Sequence, residues 1–316
     1  MPDPLPEDEA QLRPLLFSIA YRMTGSVSEA EDLVQEAFFR LARAREGGVM
    51  VESPKAYLTV TTSRLAINHL QSARARRESY VGTWLPEPVV TELRDRPEEM
   101  AEMSDSLSMA FLLLLESLSP VERAVFLLRE VFDYPYGDIA QIAGKSEANC
   151  RQIFARAREH VASHKGHYEA SVQQSATLLR SFVAAARDGD LDQLVGLLAA
   201  DVALYSDGGG KVTSLTEPLF GRVRVGTFIL DVVQQTTRLG VTFEEVLVNG
   251  APGIVTHDAQ GKLVSVLSIE VLDGSVQTVL SIVNPEKLQH VGPVSDLLRI
   301  HHLEDGPRVD RGRLGA

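Results

Sequence analysis

The sequence predicts two all-α modules followed by an α+β module, and three observations carry that reading. Apolar residues recur at helical spacing over residues 9–77 and again from Leu107 to His164. Between these stretches, from Trp84 to Asp105, periodicity is lost and Pro86, Pro88 and Pro97 interrupt an acidic run. Beyond about residue 167, helical segments give way to period-two alternation with Asn249-Gly250 and Asp273-Gly274 as tight hairpin turns. The expected modules are residues 9–82, an acidic linker 83–106, residues 107–165, residues 168–290 and a flexible tail 291–316. With 316 residues the chain exceeds the roughly 250–300 at which one hydrophobic core stops growing.

In the first module, Ala30, Leu33, Val34, Ala37, Phe38 and Leu41 lay one apolar stripe along a helix. Asp32, Gln35, Glu36, Arg40 and Arg43 are left outside it. Ser26 or Ser28 supplies the cap and Gly47-Gly48 the end. Ser53-Pro54 opens the next helix, with Pro54 at its first position and Tyr57, Leu58, Leu65, Ala66 and Leu70 on its apolar side. In the second module Ser119-Pro120 starts a helix. Segments 136–143 and 147–164 are separated by Gly144-Lys145-Ser146, a glycine that tolerates positive φ and a serine that caps. Helix, tight turn, helix is a DNA-reading arrangement. In the third module, 168–187, 191–199 and 222–239 read as helices. Residues 241–247, 254–256, 263–272 and 276–283 read as strands of a curved antiparallel sheet, so that the whole forms an α+β cone.

Composition narrows the class. With 44% hydrophobic and 23% charged residues the chain is globular, and its longest apolar run, Met109 to Leu115, is far too short to cross a bilayer. The acidic start lacks a signal peptide's basic and apolar regions, so a cytoplasmic protein without membrane attachment is expected. The single cysteine, Cys150, excludes an internal disulfide and a cysteine-built zinc site, and no metal or cofactor is expected. The net charge of -12 opposes nonspecific wrapping of nucleic acid. The excess acid is local, however. Residues 86–106 carry seven acids against two bases and residues 166–290 fourteen against eight, while arginines cluster at Arg74, Arg76, Arg77 and at Arg151, Arg156, Arg158.

The stretch Ala30-Glu31-Asp32-Leu33-Val34-Gln35-Glu36-Ala37-Phe38-Phe39-Arg40 resembles region 2.2 of bacterial sigma factors, the surface that docks on core RNA polymerase. Pro54-Lys55-Ala56-Tyr57-Leu58 and Arg64 to Leu70, followed by Arg74 to Arg77, are similar to regions 2.3 and 2.4. Ser119-Pro120-Val121-Glu122-Arg123, Tyr136 to Ala140 and Arg156 to Glu159 are similar to region 4. The first half thus resembles the extracytoplasmic-function group, which keeps only these two regions. The rest resembles the SnoaL-like extension of one subgroup, through Trp84-Leu85-Pro86-Glu87-Pro88, Asp207-Gly208-Gly209-Gly210-Lys211 and Asn284-Pro285-Glu286-Lys287-Leu288.

The resemblance implies core RNA polymerase and promoter DNA as partners, and a protein that is monomeric when free and is not an enzyme. Whether the cone takes an unknown small ligand stays open. Polymerase binding would fall to Asp32, Gln35, Glu36 and Arg40, a set that in isolation reads first as a solvated helix face until the flanking matches reverse that reading. Asn68, His69, Arg74, Arg76 and Arg77 would lie near the -10 element, although the arginines also suit a basic helix end. On 147–164, Cys150, Phe154, Ala157 and Val161 step by four, three and four and face a core. That leaves Glu147, Asn149, Arg151, Gln152, Arg156 and Arg158 for the -35 element. Arg and Gln read base edges while other basic groups neutralise phosphates, and the division between them is open at this level. Trp84, Asp207, Gly208, Gly209, Gly210, Lys211, Asn284, Pro285 and Lys287 are the expected regulatory contacts, through which the third module would restrain the first two. Removal from Asn284 onward is expected to spare most of the cone.

Two other classes compete. An enzymatic cone would need an acid-base pair, and His257-Asp258 is the obvious one, but Gln260-Gly261 beside it marks a solvated hairpin turn. A helix-turn-helix activator acting without polymerase would leave the 30–40 motif unexplained.

Overall fold

The computed structural model describes residues 11–77, 80–92, 107–164 and 172–297, which fold as two compact units. The first begins with α1 (Arg13–Thr24), α2 (Val27–Glu46) and α3 (Pro54–Arg77) and continues with α4 (Met109–Leu115), α5 (Pro120–Glu130), α6 (Tyr136–Ala143) and α7 (Glu147–His164). The α2 stripe is buried as its spacing requires, from Ala30 through Leu41, and Ser26 caps the helix by accepting from the Glu29 amide. At α5, Ser119 and Glu122 form a reciprocal capping box. Hydrogen bonding to the Ser119 hydroxyl also holds the Glu122 carboxyl below its ordinary pKa.

The seven helices share one apolar core, in which Leu16, Tyr21 and Leu58 join Phe126, Leu128 and Ile139. Helices α1 and α3 pack against α5, and α3 also meets α6. Arg123 lies buried within this unit. Its Nη1 donates to the Met23 carbonyl and to Glu116, both at 2.6 Å, and burial lowers its pKa to about 9. The Thr59 hydroxyl lies 3.1 Å from that of Tyr134, and Arg64 Nη2 donates to the Gln141 carbonyl at 2.6 Å. The two all-α modules therefore close on each other directly.

The second unit is α+β. Strands β1 (Val90–Thr91), β2 (Leu198–Asp207), β3 (Leu219–Phe220), β4 (Thr242–Val248), β5 (Ala251–His257), β6 (Leu263–Leu272) and β7 (Ser275–Ile282) form one sheet in the order β1-β4-β5-β6-β7-β2-β3. Every pairing is antiparallel except β2 with β7. Helices α8 (Val172–Asp188), α9 (Leu191–Leu197) and α10 (Arg222–Arg238) cover one face, burying Leu179, Phe182, Leu194, Val225 and Ile229 against Ile254, Ile269 and Val279. The ladder shifts register at Leu198/Ala203, Thr256/His257 and Glu270/Val271, as it does at bulges. The short helix α11 (Pro285–Leu288) follows β7.

Four expectations need correction. The helix expected over 191–199 stops at Leu197, and the next residues start β2, because Leu197-Leu198 is apolar under either period. The segment from Trp84 is not a featureless linker: Leu85, Pro86, Glu87 and Pro88 are buried, and Val90–Thr91 pairs with Leu247–Val248. An extended proline-bearing stretch has no helical period to betray its packing. Asp258 is buried rather than solvated. It accepts from the Gln260 and Lys262 amides and from the Ser295 hydroxyl, which leads the causes holding its carboxyl below the ordinary value. The tail is anchored at its start, where Val294 bridges Leu263 and Ser295 is buried. Residues 298–316 lie outside the described set.

Candidate nucleic-acid interface

Helix α7 is set on α6 by the turn expected from sequence. Gly144 is left-handed at φ 63°, and the Ser146 hydroxyl accepts from the Asn149 amide. Cys150, Ile153, Ala157 and Val161 are buried, with Phe154 partly so, while Glu147, Asn149, Arg151, Gln152, Arg156 and Arg158 are all exposed. Apolar residues thus fix the rotation of the helix and turn its polar set to solvent. Burial raises the Cys150 thiol pKa, as does nearby Glu147.

Arg151 is held by two contacts. Its Nη2 donates to Glu147 Oε2 at 2.9 Å, one helical turn back, and its guanidinium lies 4.9 Å from the Tyr136 ring centroid. Tyr136 sits at the start of α6, and its spacing gives no sign of that contact.

In α2, Asp32, Gln35 and Arg40 are exposed and Glu36 partly so, with Arg40 Nε bonded to Glu36 Oε1 at 2.7 Å. The same face carries Phe39, 56% exposed beneath the Arg43 guanidinium. Such an apolar side chain amid charges suits a protein contact, and the spacing that puts Phe38 in the buried stripe already leaves Phe39 outside it, a signal that sequence reasoning did not use. On α3, Asn68 is exposed and His69 Nε2 lies 2.8 Å from Glu29. The side chains of Arg74, Arg76 and Arg77 lie outside the described residues.

The expected regulatory residues fall into two places. Trp84 is in the first unit, its ring so close to Gly25 that any side chain there would collide with it. Gly25 also needs its left-handed φ of 68°, which ends α1. Next to it, Glu87 caps α2 from outside. It accepts from the Val27 and Ser28 amides and the Ser26 and Ser28 hydroxyls at 2.8–3.2 Å, while Tyr21 donates to its carbonyl at 2.7 Å. Placing this carboxylate at a helix N-terminus also answers the dipole.

In the second unit, parallel pairing sets Asp207 opposite Ile282 and so joins two motifs distant in sequence. Lys287 donates to Asp207 at 2.7 Å with both side chains buried, and Lys211 pairs at the surface with Glu286 at 2.9 Å. Asn284 caps α11 by accepting from the Glu286 amide, and Pro285 follows at the first helical position. Gly208–Lys211 is a defined turn: the Lys211 amide donates to the Gly208 carbonyl, and Gly209 and Gly210 have φ of 59° and 69°. A Cβ on Gly210 would lie 3.0 Å from that of Val81, so this turn sits against residues that precede the Trp84 segment.

Comparison with known proteins agrees with this architecture. Residues 10–76 match the Sigma-70 region 2 family and residues 108–161 the Sigma-70, region 4 family. The ECF RNA polymerase sigma factor SigJ of Mycobacterium tuberculosis is 36% identical over 286 residues, covering 87% of this chain and 90% of that protein. A second M. tuberculosis relative, named "Probable ECF RNA polymerase sigma factor SigI", is 33% identical over 87% of this chain and 92% of its own. The crystal structure of M. tuberculosis SigJ superposes with a TM-score of 0.73 at 34% identity, covering 92% of this chain and 99% of that one. Among the described residues no helix is long and apolar enough to cross a membrane.

Proposed function

Because this chain belongs to the extracytoplasmic-function RNA polymerase sigma factors, a family of transcription initiation factors rather than enzymes, we propose a residue-level division of its labour. Family membership establishes binding to core polymerase and promoter recognition. The proposal assigns core binding to Asp32, Gln35, Glu36 and Arg40. Contact near the -10 element falls to Asn68, His69 and the Arg74 to Arg77 end of α3. Reading of the -35 element falls to Glu147, Asn149, Arg151, Gln152, Arg156 and Arg158.

The observation that carries the assignment is the facing of α7. Its apolar residues are consumed by the core while six polar ones stand together in solvent, as a helix entering the major groove requires. Reversing Asp32 and Glu36 to Lys leaves the α2 stripe packed, so binding to purified core polymerase should fall without loss of helicity. Unchanged core affinity in the folded double variant refutes the α2 assignment.

The α+β unit acts on this activity in cis. Supporting that reading, the two sigma modules close on a shared core, and the Gly208–Lys211 turn sits against Val81 at the head of the connecting segment. A closed pair is an inhibited one if polymerase engages the two modules apart. Tyr134→Ala removes the Thr59 contact and apolar packing between modules, and should raise transcription by purified polymerase at equal core occupancy. Equal or lower output from the folded variant sinks the inhibitory reading. The free chain acts as a monomer and is cytoplasmic.

A further inference from the structure

We infer that Tyr136 is a positioning residue for base recognition, fixing the plane of the Arg151 guanidinium so that its fork meets one base edge. This rests on the proposed reading of α7 as the helix that enters the -35 element.

An arginine on an exposed helix face loses rotamer freedom when it binds, and that loss weakens both its affinity and its selectivity. The ion pair with Glu147 cannot supply order by itself. Both partners are about half exposed, where water competes and such pairs contribute little. An aromatic plate does more, because a planar cation lies over a ring face in a restricted set of orientations.

Tyr136 is itself anchored to the interior. Its ring meets Phe154 edge-on, with centroids 6.2 Å apart at 73°, and Phe154 stacks on Phe126 at 6.2 Å within the core. A second guanidinium, Arg129, lies 5.3 Å from the same ring and is bonded to the Tyr134 carbonyl and to Asp133. A line of ring contacts therefore runs from the core through Phe154 and Tyr136 to Arg151. Glu147 engages Nη2 and leaves the other guanidinium N–H groups to meet a base.

The experiment uses the full chain with purified core polymerase and a panel of promoters, each changed at one base pair of the upstream element. The variants are Arg151→Ala, Tyr136→Leu, Tyr136→Phe and the Tyr136→Leu/Arg151→Ala pair, each checked for helicity. Arg151→Ala should reduce discrimination at one base pair by roughly fivefold to a hundredfold. Tyr136→Leu should reduce it at that same base pair by about two- to fivefold, and Tyr136→Phe, which keeps the ring face, should hold within about twofold of the parent. The double variant should match Arg151→Ala. If Tyr136→Leu fails to fold, Tyr136→Gln is read in its place.

A loss spread evenly over the panel with Tyr136→Leu shows a merely structural role and overturns the proposal. So does unchanged discrimination with Tyr136→Leu while Arg151→Ala alters it, and in that case the reading of α7 survives. An even loss with Arg151→Ala makes Arg151 a phosphate contact and brings down both together.

Discussion

Lys287 neutralises Asp207 across 80 residues of sequence, with the Asp207 side chain fully buried and that of Lys287 only 9% exposed. The parallel pairing of β2 with β7 brings them together, and removing one takes a counter-charge from the other at a buried site. Lys287→Met should therefore cost roughly 3–5 kcal/mol in chemical denaturation of the full chain. Asp207→Asn combined with Lys287→Met should recover much of that loss. Equal stability of Lys287→Met and the double variant would show that the remaining buried Asp207 charge is not the source of the loss.

Truncation should depend sharply on position. Ending the chain before Asn284 removes the fully buried Leu288 and the buried Lys287 that donates to Asp207, whereas ending it after Leu297 removes only residues 298–316. The shorter protein should lose its cooperative melting transition for the α+β unit while the longer retains it. This replaces the expectation that removal from Asn284 spares the cone.

Glu87→Ala should destabilise the start of α2, because four hydrogen-bond donors lose their side-chain acceptor there. A loss of about 2–3 kcal/mol is expected, with Glu87→Gln intermediate. Amide exchange at Val27 and Ser28 provides the local measurement, and unchanged protection there would exclude the capping role.

Asp258 gives the α+β unit an acid-sensitive contact. Its folded pKa is below the ordinary 3.8, first through the Ser295 hydroxyl, so its stabilisation is fully present above about pH 4. It is lost as pH falls through the lower folded value. Asp258→Asn should be less stable than the parent at pH 6, and the difference should shrink between about pH 4 and pH 2. A difference independent of pH over that range would assign the effect to packing instead.

Local features were legible in the sequence. The α2 stripe, the Ser119 start, the glycine break before α7 and the Asn249-Gly250 and Asp273-Gly274 turns each depend on residues a few positions apart. Contacts between distant residues were not. Nothing in the composition near Asp207 announces Lys287, and an extended run such as Trp84–Val89 carries no periodic signature of burial. At the candidate interface, spacing separated the buried from the exposed residues of α7, but the plate beneath Arg151 comes from another helix. Such a residue becomes visible only when both helices are in place.

The lone thiol of Cys150 turns the helix-turn-helix into its own clock. It is fully buried, its pKa is raised, and no second cysteine competes for reagent. An alkylating probe therefore reacts at a rate set by how often α7 lifts from its neighbours, so mass gained with time counts openings of the DNA-reading module. Slower labelling on promoter engagement, or faster labelling once Tyr134 is removed, would report that motion without an engineered cysteine.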